Sequence, residues 1–169
     1  MPELREERFR RYMISANPLK LLSPLDHKFL NAYFHYALTT SLVLGLGVQI
    51  PSPLSDNDIS GIAAQPEIFY AFSEDPFGGF FAGAGALLSH LSVTETINET
   101  DNTYSYTDDV FAVRAFLGFH IEAVEKGFMT SILAGGELNI SPETEAILGY
   151  FGSKEGLVPY VSLRMGYAW

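Results

Sequence analysis

The reading of the chain turns on residues 110–123, VFAVRAFLGFHIEA. Phe111, Val113, Ala115, Leu117, Phe119, Ile121 and Ala123 are all apolar, while the positions between them run Ala112, Arg114, Phe116, Gly118, His120, Glu122. A helix would scatter both sets around its circumference. A strand sends alternate side chains to opposite faces, giving one apolar stripe and one mixed polar stripe. The stripe outlasts an ordinary globular strand and matches the roughly 9–11 residues that cross a bilayer as a tilted β-strand. The expectation is an all-β, eight-stranded antiparallel up-and-down transmembrane β-barrel, with its apolar stripe outward.

Composition agrees with this without deciding it. The chain has 169 residues, 47% of them hydrophobic and 18% charged, and no apolar run approaches the ~18 residues of a spanning helix. The formal net charge of −10 leaves no extended basic surface for phosphates, which excludes nucleic acid as a partner. With no cysteine there are no disulfides, thiolate chemistry or Cys-based zinc sites. Residues 1–12, MPELREERFRRY, have no apolar core like that of a secretory signal, so the signal an exported barrel requires is missing from this chain. Residues 1–11 are read as a periplasmic segment and 12–169 as the barrel.

Outward from the reference strand, the same rhythm recurs. Candidate strands are Tyr12–Leu22, Phe29–Leu38, Leu42–Ile50, Gln65–Phe72, Gly79–Thr94, Val110–Ala123, Gly127–Ile140 and Gly156–Trp169. Thr39–Ser41, Ser73–Gly78 and Val124–Lys126 are short connections; Pro51–Gly61, Glu95–Asp109 and Ser141–Glu155 are read as long polar loops. Short turns at one end and long loops at the other, with an even strand count, are the habit of outer-membrane barrels. Folding Phe29–Leu38 against Leu42–Ile50 sets His35 opposite Gly45, Tyr33 opposite Gly47 and Asn31 opposite Gln49. Bulky side chains then face glycines, which suits a narrow interior.

The last strand carries Val161, Leu163, Met165, Tyr167 and Trp169 on one face. This tail resembles the signal read by the barrel-assembly machinery, with Tyr167 and Trp169 as its aromatic positions. From Tyr12 onward the chain resembles the small eight-stranded barrels typified by OmpA and OmpX, and among them uncharacterised proteins with stretches similar to ISANPLKLL (Ile14–Leu22), LVLGLGVQI (Leu42–Ile50) and GFFAGAGALL (Gly79–Leu88). The resemblance implies a bacterial outer-membrane location, contact with the lipid bilayer and lipopolysaccharide, a monomer, no cofactor, and an envelope-structural or surface-interaction role without enzymatic activity.

Candidate chemistry collects on the inward parity: Glu67, Arg114, His120, Glu122, Glu137 and Arg164, with His35, Asn31, Gln49 and Asn139. Pairing across Glu125 and Lys126 sets Arg114 opposite Glu137 and His120 opposite Ser131, which predicts an Arg114–Glu137 ion pair. Ionisable groups in such a lumen must be paired or hydrated. A core plug that locks strand register is favoured over a polar conduit or proton-active site, because small barrels are just wide enough for side chains to fill.

Three further motifs have the residue types of a chemical site. His90 and Ser92 share the lipid-side parity and resemble the His-x-Ser pair of outer-membrane lipid A deacylases, in which His activates Ser against an acyl ester. The family's following Asn-Ala-Gly is here Val93, Thr94 and Glu95, and no acidic residue can be placed beside His90 from sequence. Asp56–Glu67 has calcium-loop spacing, but Pro51, Pro53 and Pro66 and a strand-like context oppose it, leaving an acidic surface loop. The glycines at 45, 47, 83 and 85 lie inside strands with no helix after them, so they are packing residues rather than phosphate loops. The four histidines have no close metal-ligand spacing, and the sequons at Asn98 and Asn139 are irrelevant in a bacterial envelope. A soluble lipocalin-type barrel, with its apolar stripes inside a cavity, is the remaining alternative.

Overall fold

In the computed structural model the described residues are 10–20, 29–52, 58–97, 102–122, 127–140 and 157–169. They form eight strands, β1 (Tyr12–Ala16), β2 (Phe29–Ala37), β3 (Leu42–Pro51), β4 (Asp58–Ala71), β5 (Gly79–Ile97), β6 (Asn102–Glu122), β7 (Phe128–Asn139) and β8 (Leu157–Ala168). Each pairs antiparallel with the next, and β1 with β8, closing the ring. Within the described residues no helix is long and apolar enough to cross a membrane.

The alternation read from sequence sets which face is which. Phe111, Leu117 and Ile121 point away from the barrel, with Leu117 67% exposed, while Arg114, Phe116 and His120 are buried inside. The soluble alternative required the reverse. Leu44, Leu46, Val48, Ile68, Leu88, Ile132 and Val161 continue the outward apolar belt around the wall. Near the short turns it ends in aromatic residues: Tyr12 packs against Tyr36 and Trp169, Tyr70 against Phe72, and Phe80 against Phe119. An apolar band edged by an aromatic girdle is the exterior of a transmembrane barrel.

Hairpin β2–β3 has His35 opposite Gly45, Tyr33 opposite Gly47 and Asn31 opposite Gln49. A Cβ on Gly45 would sit 2.6 Å from both Glu67 Cγ and His35 Cδ2, so the missing side chain makes room for the interior.

Three stretches differ from the sequence reading. The first strand stops at Ala16 instead of running to Leu22. Pro18 can donate no ladder hydrogen bond, and Pro18–Lys20 form a 3-10 turn. Asn17 takes over the job of the ladder: its backbone N–H donates to Asn31 Oδ1 (2.6 Å) and its Nδ2 to Ser162 Oγ (3.0 Å), tying β2 to β8.

The fourth strand begins at Asp58, well before Gln65, so residues 58–61 are strand rather than loop. The acidic stretch 95–109 is likewise mostly strand: β5 runs to Ile97 and β6 begins at Asn102, paired down to Ile97↔Asn102. Polar side chains on the outward face hid the strand period there. The turn at Glu125–Lys126, the loop 141–155 and Asp56 of the calcium-like stretch lie outside the described residues.

Candidate functional site in the barrel interior

The interior is layered. At mid-height, Arg164 on β8 donates from Nη1 to Glu67 Oε1 (2.5 Å) and from Nη2 to Glu67 Oε2 (2.9 Å). His35 Nε2 lies 2.6 Å from the same Oε1, and His35 is 0% exposed. The guanidinium also stacks over Tyr33, its Cζ 3.8 Å from the ring centroid. This bidentate fork is the strong form of an arginine–carboxylate bond.

Towards the long-loop end, Arg114 Nη2 is 2.9 Å from Glu137 Oε2, the cross-strand pair that the β6–β7 register sets. Gln65 joins the two layers. Its Oε1 accepts from Tyr33 Oη (2.8 Å) and from Arg114 Nη1 (3.1 Å), while its Nε2 donates to Gln49 Oε1 (3.0 Å). Tyr160 links them again, accepting from Arg164 Nη2 (3.3 Å) and lying under Arg114, 4.7 Å from Cζ to its ring. Among the described residues two cations and two anions balance within the lumen, so each of these buried charges has its counterion.

Towards the short turns the interior becomes apolar. Met13, Val43, Phe69, Phe77, Phe81, Phe116, Met129 and Leu133 form one cluster. Phe77 belongs to the β4–β5 turn yet is 0% exposed, because the turn folds inward and stoppers that end. His120 belongs to this floor rather than to the ionic layers. It stacks on Phe81 at 4.2 Å and lies 2.7 Å from Ser131 Oγ through Nδ1.

Glu122, read as a lumen residue, is at the mouth and exposed. There it accepts from Arg10 Nη1 (3.0 Å) and from the Gly127 N–H (3.1 Å), and Arg10 also pairs with Asp75 of the inward-folded turn. Parity gave the right face for Glu122, but the wall ends beside it. Gln65 shares the inward parity of Glu67 and was legible as a lumen residue on that ground, whereas the roles of Phe77, Asp75 and Arg10 carried no sequence signal, since turn direction and contacts across the ring have no fixed spacing.

On the outer wall His90 Nδ1 lies 2.7 Å from Asp109 Oδ1, the acidic neighbour that sequence could not supply. Ser92 instead accepts from Thr107 Oγ1 (3.3 Å). Its surroundings are strand backbone paired on both sides, with Ser60 on one and Thr107 on the other. An acylation site needs the serine on the histidine and backbone donors free for an oxyanion; the described contacts supply the histidine–aspartate half alone.

The calcium-like stretch is divided: its described part is β4, and Glu67 is committed to Arg164. Among the described residues no group of three or more His, Cys, Asp or Glu could hold a metal. Tyr167 and Trp169 stack with centroids 6.2 Å apart on the outer wall, and the Trp169 carbonyl accepts from the backbone of Arg11 and Tyr12, closing the seam.

No protein-family model and no curated protein matches the chain. Among solved structures, the N-terminal β-barrel domain of Pseudomonas aeruginosa OprF matches with a TM-score of 0.54 and 16% identity, over 95% of this chain and 98% of that one. At that identity the likeness is one of architecture. With its closed ring, outward belt and filled interior, the chain has the eight-stranded transmembrane β-barrel fold of the OmpA-like outer-membrane barrels.

Proposed function

We propose that the protein is a non-enzymatic barrel of the bacterial outer membrane whose filled lumen holds a rigid scaffold for the surface it presents outside the cell. The supporting observation is the stacking of two closed ion-pair layers on an aromatic floor stoppered by Phe77. Such an interior pairs its buried charges with one another and, among the described residues, leaves no row of hydrated charges along which ions could move. In this reading the envelope's lipids, including lipopolysaccharide, are the partners of the wall, the barrel-assembly machinery reads the Tyr167–Trp169 end, and the barrel works as a monomer.

The test is reconstitution from detergent into planar bilayers. The expected result is a protein that inserts, keeps its β-structure, and shows no steady discrete conductance. Stable ion-current levels in the wild type would replace the scaffold reading with a channel.

A second reading is favoured by one observation, the His90–Asp109 contact, which uses the ring nitrogen that an orienting carboxylate takes in a hydrolytic triad. It predicts release of fatty acid from lipopolysaccharide, abolished in Ser92→Ala. Absence of release by folded wild-type protein ends that reading.

A further inference from the structure

Along the outward face of β5 and β6 the chemistry changes in a single step, and β4 follows one row later. Leu88 and Phe111, paired across β5–β6, are the last apolar outward residues on those strands, while on β4 the apolar face runs one row further, to Ile62 opposite His90. The next outward pair is His90↔Asp109, followed by Ser92↔Thr107 and Thr94↔Ser105. Ser60 on β4 adjoins Ser92, and Asp58 takes the register position beside Thr94. Paired β-structure continues to Ile97↔Asn102, so these side chains stand on a sheet and not on a loop.

Hydrogen bonds link them across the β5–β6 pair. Thr107 donates to Ser92, Thr94 and Ser105 are 3.0 Å apart, and His90 faces Asp109. Two-residue steps rise about 7 Å and strands lie about 5 Å apart, so the hydroxyl rows span an area about two or three sugar rings across. Among the described residues of this patch only His90 can carry positive charge, and it stands against a carboxylate. Phosphate has no cation to meet there; a neutral sugar, which both donates and accepts hydrogen bonds, finds partners at each row.

We infer that the outward hydroxyl face formed by Ser60, His90, Ser92, Thr94, Ser105, Thr107 and Asp109 binds the neutral sugar headgroups of glycolipids whose acyl chains lie against Ile62, Leu88 and Phe111. The apolar wall and the hydroxyl rows are continuous, so a lipid lying on the first carries its sugar to the second at high effective concentration. A free saccharide lacks that advantage. The inference rests on the belt facing lipid, as in the scaffold reading.

The test reconstitutes the protein in phosphatidylcholine vesicles containing a dihexosyl diacylglycerol and, separately, phosphatidylglycerol. Lipids retained by the barrel are then counted by native mass spectrometry. The expected result is enrichment of the dihexosyl lipid over phosphatidylcholine, falling about tenfold in the combined variant Ser92→Ala, Thr94→Val, Thr107→Val as several hydrogen bonds are lost. The variant's heat-resistant gel mobility reports that it has folded.

Equal enrichment in folded variant and wild type overturns the site. Preference for phosphatidylglycerol overturns the neutral-sugar chemistry, and equally tight binding of a free disaccharide overturns the lipid source. Failure of the wild type to enter any bilayer is a different outcome, which removes the membrane reading beneath both.

Discussion

Arg164 and Glu67 are bound through two hydrogen bonds although β8 and β4 stand diametrically opposite in the ring. The pair therefore crosses the whole lumen. Neither strand can shift in register without pulling a charge from its counterion in a site closed to water.

That geometry predicts a strongly non-additive pair. Glu67→Gln leaves the Arg164 cation buried without its counterion, at a cost of about 3–5 kcal/mol. Combining Glu67→Leu with Arg164→Met removes both charges and recovers most of the loss. Urea unfolding from lipid vesicles measures both; additive losses would show that the two side chains do not act as a pair.

Overpacking gives a second prediction. Gly45→Ala places a methyl against Glu67 Cγ and His35 Cδ2 and is expected to cost about 1–3 kcal/mol. Ala84→Val, on the lipid side of β5, is expected to stay within about 0.5 kcal/mol. The same unfolding assay compares them.

Leu117 lies near the middle of the outward apolar run of β6. Leu117→Arg is expected to cost about 2–4 kcal/mol in a bilayer, the range for a cation at midplane depth on a lipid-facing wall. A variant as stable as the wild type in vesicles contradicts the outward belt as a hydrocarbon surface.

Phe77 and Phe80 are close in sequence and opposite in environment, one fully buried and the other 67% exposed. Phe77→Ala empties the stopper and is expected to lose about 3–5 kcal/mol. Phe80→Ala should lose far less, since lipid fills the space. Thermal unfolding followed by gel mobility distinguishes the two.

Trp169 is the single tryptophan, which makes its fluorescence a depth gauge. Its place among Tyr12 and Tyr167 on the girdle predicts stronger quenching by lipids brominated near the headgroup than by lipids brominated near the chain terminus. The reverse order would move the girdle away from the interface.

Much of this architecture was legible because it is local. Strict alternation in Val110–Ala123 and the short link at Thr39–Ser41 set strand faces and hairpin register, and the Arg114–Glu137 contact follows from the register. What eluded the sequence is non-local or masked by polarity. The Glu67–Arg164 bond joins strands with no hairpin between them. In 102–109, Thr103, Ser105, Thr107 and Asp109 alternate with Tyr104, Tyr106 and Asp108, yet a polar outward face looks like a loop to any search for apolar stripes. Glu122 keeps the inward parity but lies where the wall has run out, and Asn17–Pro18 ended β1 early because a proline cannot donate to the ladder.

The short β1 also makes the wall unequal along its height. Near the turns the seam is a true ladder, Met13–Ala16 against Met165–Ala168; beyond it, Asn17 splices β2 to β8 through a backbone N–H and a side-chain amide. With the Tyr12–Trp169 backbone pair added, five rungs are still a short zipper, so this joint is where thermal breathing should begin. Hydrogen exchange would register it as deuterium entering Met13–Ala16 well before it enters the amides shared by β5 and β6.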